Sequence, residues 1–207
     1  MKISQLKKKE AKAFTLIEMI GVLAVIAILA SLLIPKIYEA INNARISNTT
    51  LSYNTVKSAL ADHYAKFGAL TSSNGVTITA GANEALNFDK VLIAEGFLDK
   101  PFDVKIGTGS FVEVVPGVTA ATAVDATDAA YDLDGSGTTV NDAAGSAVVQ
   151  AVIPNVSGGD AQALSLLLDG PAMSTTNAPT LTDLKGRVKY AAPGSGSTTV
   201  YIYVTHR

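Results

Sequence analysis

The sequence predicts an α+β protein. One long N-terminal helix, membrane-spanning in its first half and amphipathic in its second, packs on a small antiparallel β-sheet head. Three observations carry this expectation. Residues 14–34 form an apolar run with a single charge, Glu18. Helix-period apolar positions then continue to Phe67, and beyond them the chain changes to short runs rich in Val, Ile, Thr and Tyr. With 207 residues, 48% of them hydrophobic, there is material for one ordinary domain and an additional element.

The chain divides by composition. Residues 1–13 carry Lys2, Lys7, Lys8, Lys9 and Lys12 against Glu10 alone and read as a basic leader. Residues 14–35 read as a membrane-spanning helix. As a helix, the 21 residues from Phe14 to Ile34 are roughly 31 Å long, which matches a hydrocarbon core of about 30 Å. A buried helix of a soluble protein is the bland alternative, but such helices rarely lack polar positions on every face. Positive charge before the run keeps that end in the cytoplasm. A cleavable secretory signal has the same order, yet its apolar part is about 7–15 residues and ends at a small-residue cleavage site. Here the helix pattern continues through "LLIPKIYEAINNARIS".

Residues 36–68 extend the helix, with Ile37, Ile41, Val56, Leu60, Tyr64 and Phe67 near one face. Pro35 removes a backbone hydrogen bond and is expected to kink it. Gly68 is the expected stop. Residues 69–207 form the β-rich head. "NFDKVLIAEGFLDKP" (87–101) reads as a short helix ended by Gly96, and "GGDAQALSLLLDG" (158–170) as another. Strands are expected at 111–115, 147–153, 186–192 and 198–205, the last two joined through "PGSGS" as a hairpin. Residues 117–146, rich in Ala, Thr, Asp and Gly, are expected to make a surface excursion.

An acid inside an apolar helix is costly, at about 2.5–3.5 kcal/mol at a helix centre and less near the membrane edge, and such residues mark functional pairings. The segment "KAFTLIEMIGVLAVIAILASLLIP" (12–35) resembles the N-terminus of type IV pilins and of type II secretion pseudopilins. The likeness is close over residues 1 to about 45 and loose over the rest. It implies that a prepilin peptidase cuts between Ala13 and Phe14 and methylates the new amino group of Phe14. Most members have glycine before the cut, where this chain has Ala13. The resemblance also implies that Glu18 meets the amino terminus of Phe14 in a neighbouring subunit, as a register device for assembly. It implies too that the helix around Pro35 unwinds in the filament. Implied partners are further copies of the chain, the prepilin peptidase, an inner-membrane assembly platform and, before assembly, lipid. The implied location is the inner membrane as a single-pass precursor, then an extracellular pilus or a periplasmic pseudopilus.

In the head, "DLDGSGTTVNDA" (132–143) opens like a calcium loop, with Asp132, Asp134 and Ser136 at alternate positions and Gly137 next. Thr138 could offer a carbonyl. Position 12 is Ala143 rather than Glu, with Asp142 one place early, so a solvated Asp/Gly turn competes with a calcium loop. No other cofactor is expected. The chain has no cysteine and two histidines, His63 and His206, so neither a zinc cluster nor a Cys/His dyad is available. His63 reads as a packing or helix-surface residue. Tyr190, Tyr201 and Tyr203 read as packing rather than a sugar platform. Asn48 and Asn155 stand in weak glycosylation patterns. From Phe14 onward 11 basic and 17 acidic residues give a balance of −6, which argues against a nucleic-acid surface.

Three functions compete: a structural filament subunit (pilin or pseudopilin), a minor pilin or adhesin at a filament tip, and a membrane-anchored enzyme. The enzyme fares worst, because the head offers no nucleophile–base pair or metal cluster in its sequence.

Overall fold

A computed structural model describes residues 14–71, 85–118, 124–136, 146–174 and 179–206. The order of elements is α1 (Leu16–Phe67), a 3₁₀ turn (Ala85–Asn87), α2 (Phe88–Ala94), β1 (Phe111–Pro116), β2 (Ala147–Ser157), α3 (Gly158–Leu168), β3 (Val188–Tyr190) and β4 (Ser197–His206). The chain falls into two compact units, Met1–Ile41 and Asn42–Arg207. The expected α+β plan is what forms.

In the first unit every described residue is exposed. Helical structure runs through Pro35 without interruption. The apolar side chains from Phe14 to Ile41 therefore lack the cover a soluble helix obtains from its own domain.

The second unit holds the core. From Ile46 onward α1 buries Ile46, Thr49, Tyr53, Val56, Ala59, Leu60 and His63, a stripe at three- and four-residue spacing. This corrects the expected face. Ile37 and Ile41 precede the head and stay exposed, while Thr49 and Tyr53, polar by type, lie in the buried stripe. The Tyr53 hydroxyl is satisfied by donating to the Tyr203 carbonyl at 2.8 Å. The helix stops where expected: Gly68 takes φ +70°, and its N–H bonds the Tyr64 carbonyl at 2.8 Å.

The sheet is antiparallel, in the order β1-β2-β4-β3. Strand alternation gives it two different faces. One face carries Val112, Val114, Val149, Ala151, Ile153, Val188, Tyr190, Val200, Ile202 and Val204 into a single core with Tyr53, Val56, Leu60, Phe88, Leu92, Phe102 and Leu164 of the helices and connections. The other face carries Val148, Gln150, Lys189, Tyr201 and Tyr203. Part of the 117–146 excursion covers it, through Ala129, Ala130 and Tyr131. Polar groups there are linked: the Tyr131 hydroxyl donates to Gln150 at 2.7 Å, and the Gln150 amide donates to Glu113 at 2.7 Å.

Strand limits differ from expectation in one instructive place. β2 continues four residues past Ile153 to Ser157, although Pro154 lacks an N–H for the ladder. A register shift between Ile153 and Val156 takes Pro154 and Asn155 out of the pairing, and Asn155 adopts φ 57°. Ser157 then turns directly into α3, its hydroxyl accepting the Asp160 N–H at 3.2 Å as an N-cap.

Candidate functional site

The conspicuous acid lies at the very start of α1. Thr15 is the residue before the helix and Glu18 is its third residue, so "TLIE" is a capping box. The Thr15 N–H and hydroxyl both donate to Glu18 Oε2, at 2.8 and 2.7 Å, and the Glu18 N–H reaches back to the Thr15 hydroxyl at 3.3 Å. A carboxylate in the first helical turn also complements the helix dipole. Within one chain Glu18 therefore already has partners, although a carboxylate has lone pairs for further donors. This role was readable from the Thr-x-x-Glu spacing, which the apolar run around it obscured. Phe14 is 81% exposed. Ala13, on the other side of the expected cut, lies outside the described residues, and Pro35 sits within α1.

Of the five candidate calcium ligands, Thr138 and Asp142 lie outside the described residues. Asp132 is buried, and its carbonyl accepts the N–H groups of Gly135 and Gly186. Asp134 Oδ1 accepts the Ser136 N–H at 3.0 Å. Hydrogen bonds from Ser136, and then from the Asp132 carboxyl, hold Asp134 below the usual carboxylate range. Asp132 and Asp134 are thus brought together, with Ser136 beside them. Among the described residues no group of three or more His, Asp or Glu side chains converges as a metal site.

Two buried polar arrangements escaped the sequence. His63 is fully enclosed. Its Nε2 accepts the Thr71 N–H at 3.2 Å, so the ring proton sits on Nδ1 and is donated to Glu95 at 2.5 Å. Phe67, Phe88 and Phe97 surround the ring. Both ring nitrogens are occupied, so His63 fastens the end of α1 to the turn after α2 and is not itself a free base. The sequence left His63 between packing and the helix surface; the structure puts it on the buried stripe, and nothing local pointed to Glu95. The second arrangement is Lys189, fully buried on the sheet's outer face.

A family model described as the prokaryotic N-terminal methylation motif matches residues 8–34. No curated protein and no solved structure matches the chain. The match covers the signal and most of the apolar run, and the chain carries a prepilin-type signal. The head is of the α+β kind found in type IV pilins, with a long helix on a four-stranded antiparallel sheet. Together these support a pilin-like or pseudopilin subunit. An apolar helix long enough to cross a bilayer, none of whose most apolar stretch is buried, fits an inner-membrane precursor.

Proposed function

We propose that the chain is a structural subunit of a type IV pilus-like filament. In this reading it is processed between Ala13 and Phe14, N-methylated on Phe14, held in the inner membrane by residues 14–35, and polymerised through that helix. The observation that carries the reading is the methylation motif lying on a helix whose apolar surface is uncovered from Phe14 to Ile41. An assembly platform lifts the helix from lipid, and neighbouring copies of the same helix then cover it. Glu18 of one subunit exchanges part of its own capping for the amino terminus of Phe14 in another. An uncompensated buried charge opposes misaligned packing more than a formed pair adds stability, so the acid sets register. The head is structural and performs no catalysis. A pseudopilin, or a minor pilin at a filament tip, shares every one of these features.

The test is intact-mass measurement and N-terminal sequencing of the chain in a sheared extracellular fraction of its native cells. An abundant species beginning at N-methylated Phe14 is expected for a surface filament. Mature protein confined to the envelope points to a pseudopilin or a minor subunit. A chain still starting at Met1 overturns the filament reading.

We also propose that the 132–143 loop takes calcium, through Asp132, Asp134, Ser136, Thr138 and Asp142. Asp132 and Asp134 bring two carboxyl side chains to one turn, and clustered hard oxygens of that kind are what a divalent cation takes. Calcium is expected to raise the melting temperature of the protein and a chelator to lower it. A melting temperature indifferent to both removes the proposal.

A further inference from the structure

Lys189 is the middle residue of β3 and the one whose side chain leaves the core face for the outer face of the sheet, opposite Tyr201 in the ladder. Burying an ammonium is unfavourable unless its donors are matched. Here they are matched by one short segment. Nζ lies 3.0 Å from the Asp125 carbonyl, 2.5 Å from the Asp128 carbonyl, 2.9 Å from the Ala130 carbonyl and 2.8 Å from Asp128 Oδ1. The Tyr131 ring closes a further side, its centroid 4.4 Å from Nζ.

The segment is built for this. Asp128 Oδ1 also accepts the Ala130 N–H, and its Oδ2 accepts the Asp125 N–H. Asp125 in turn accepts from both the N–H and the hydroxyl of Thr127. These bonds curl the chain so that three carbonyls and a carboxylate point at one spot. Oxygens gathered in that way repel one another unless a cation stands among them, and such oxygen cages are how loops hold hard metal ions. An ammonium has three donors and no acceptor, so it suits the place.

We propose that Lys189 is a tethered cation. Its ammonium fills an oxygen cage made by residues 125–130 and clamps this part of the excursion over the outer face of the sheet, in the place a bound ion would otherwise hold. The closure of this segment is then independent of free metal. It is also separate from the Asp132–Asp134 pair, which lies beyond it in the chain and is not among the oxygens around Nζ. Burial lowers the Lys189 ammonium below the usual lysine range, and Asp128 opposes that shift; the cage is what keeps the charge in place.

The experiment uses the full chain in detergent and chymotrypsin, whose site after Tyr131 adjoins the clamped segment, with the Tyr131 ring itself packed against the ammonium. Lys189→Ala removes the atoms of an n-propylammonium ion. The variant is expected to be cut after Tyr131 at least about tenfold faster than the parent, as proteolysis follows local opening. Added n-propylammonium is expected to restore protection, and n-propanol, of the same size without the charge, is not. Cleavage no faster than in the parent, or equal rescue by n-propanol, overturns the proposal. Should the variant not accumulate folded, the parent itself decides. A buried, bonded ammonium exchanges slowly with water and gives a nitrogen–proton NMR signal for Lys189 near neutral pH, where exposed lysines lose theirs to exchange. Absence of that signal, or an intact mass short by one water from an amide between Lys189 and Asp128, counts against a free ammonium in the cage.

Discussion

The capping bonds of Glu18 and the register role proposed for its charge separate by substitution. As the third residue of a capping box it serves its own helix; as a charge near a membrane edge it can serve a neighbouring subunit. Glutamine also completes a capping box, so Glu18→Gln keeps the cap and removes the charge. Thr15→Ala does the reverse, at a cost of about 1 kcal/mol in helix-end stability. If register depends on charge, Glu18→Gln abolishes filaments in sheared fractions while Thr15→Ala still yields them. The opposite pattern makes Glu18 a helix-start residue and nothing more. At this scale the sequence was legible where chemistry is local: the acid stands out in its apolar run, and Thr-x-x-Glu is a spacing rule. It was opaque where partners are distant. His63 and Glu95 are 32 positions apart, and Lys189 and Asp128 are 61 apart. No periodicity or motif links either pair; only the packing of the head brings them together.

Element limits were legible wherever a residue with special backbone behaviour marks them. Gly68 ends α1, and Gly96, at φ +80°, follows α2. The β3–β4 hairpin forms around the Gly/Ser/Pro stretch that announced it. The end of β2 was hidden because a proline ordinarily closes a strand, and only the bulge, a tertiary compromise, lets the strand pass it. The start of α3 offers a sharp test of local packing. Gly158 and Gly159 are consecutive and both helical, yet their surroundings differ. A Cβ on Gly158 would lie 2.0 Å from the Pro179 carbonyl oxygen and 2.9 Å from Pro193 Cγ, whereas one on Gly159 meets nothing within 4 Å. Gly158→Ala is therefore expected to destabilise the head by about 1–3 kcal/mol through overpacking. Gly159→Ala is expected to stabilise it by up to about 1 kcal/mol, since alanine is the better helix former. Urea unfolding midpoints of the two variants check both signs. Equal shifts would mean that α3 does not start against Pro179.

On the scale of the whole molecule, the head lacks disulfides and encloses its sheet between an apolar core and a partly polar cover, so its stability should respond to alkali. Burial raises the phenols of Tyr53 and Tyr201, raises that of Tyr131 well above the usual range, and lifts Tyr190 to about 12. Above about pH 10 the unfolded chain releases phenol protons that the folded chain retains. The folded state then binds more protons, and stability falls as pH rises. Lys189 acts with the opposite sign. Its pKa is lowered from 10.5, so just below that pH the unfolded chain holds a proton the folded chain has begun to lose, and stability rises there with pH. Four phenols outweigh one ammonium, and their window lies higher. The unfolding midpoint in urea should therefore change little up to about pH 10 and drop steadily from there towards pH 12. Tyr190→Phe should make that drop shallower, because one retained proton is gone, while Lys189→Met should remove any rise before it. A midpoint that stays level to pH 12 in the parent would mean that these phenols ionise without unfolding, and that the cover over the sheet's outer face admits water.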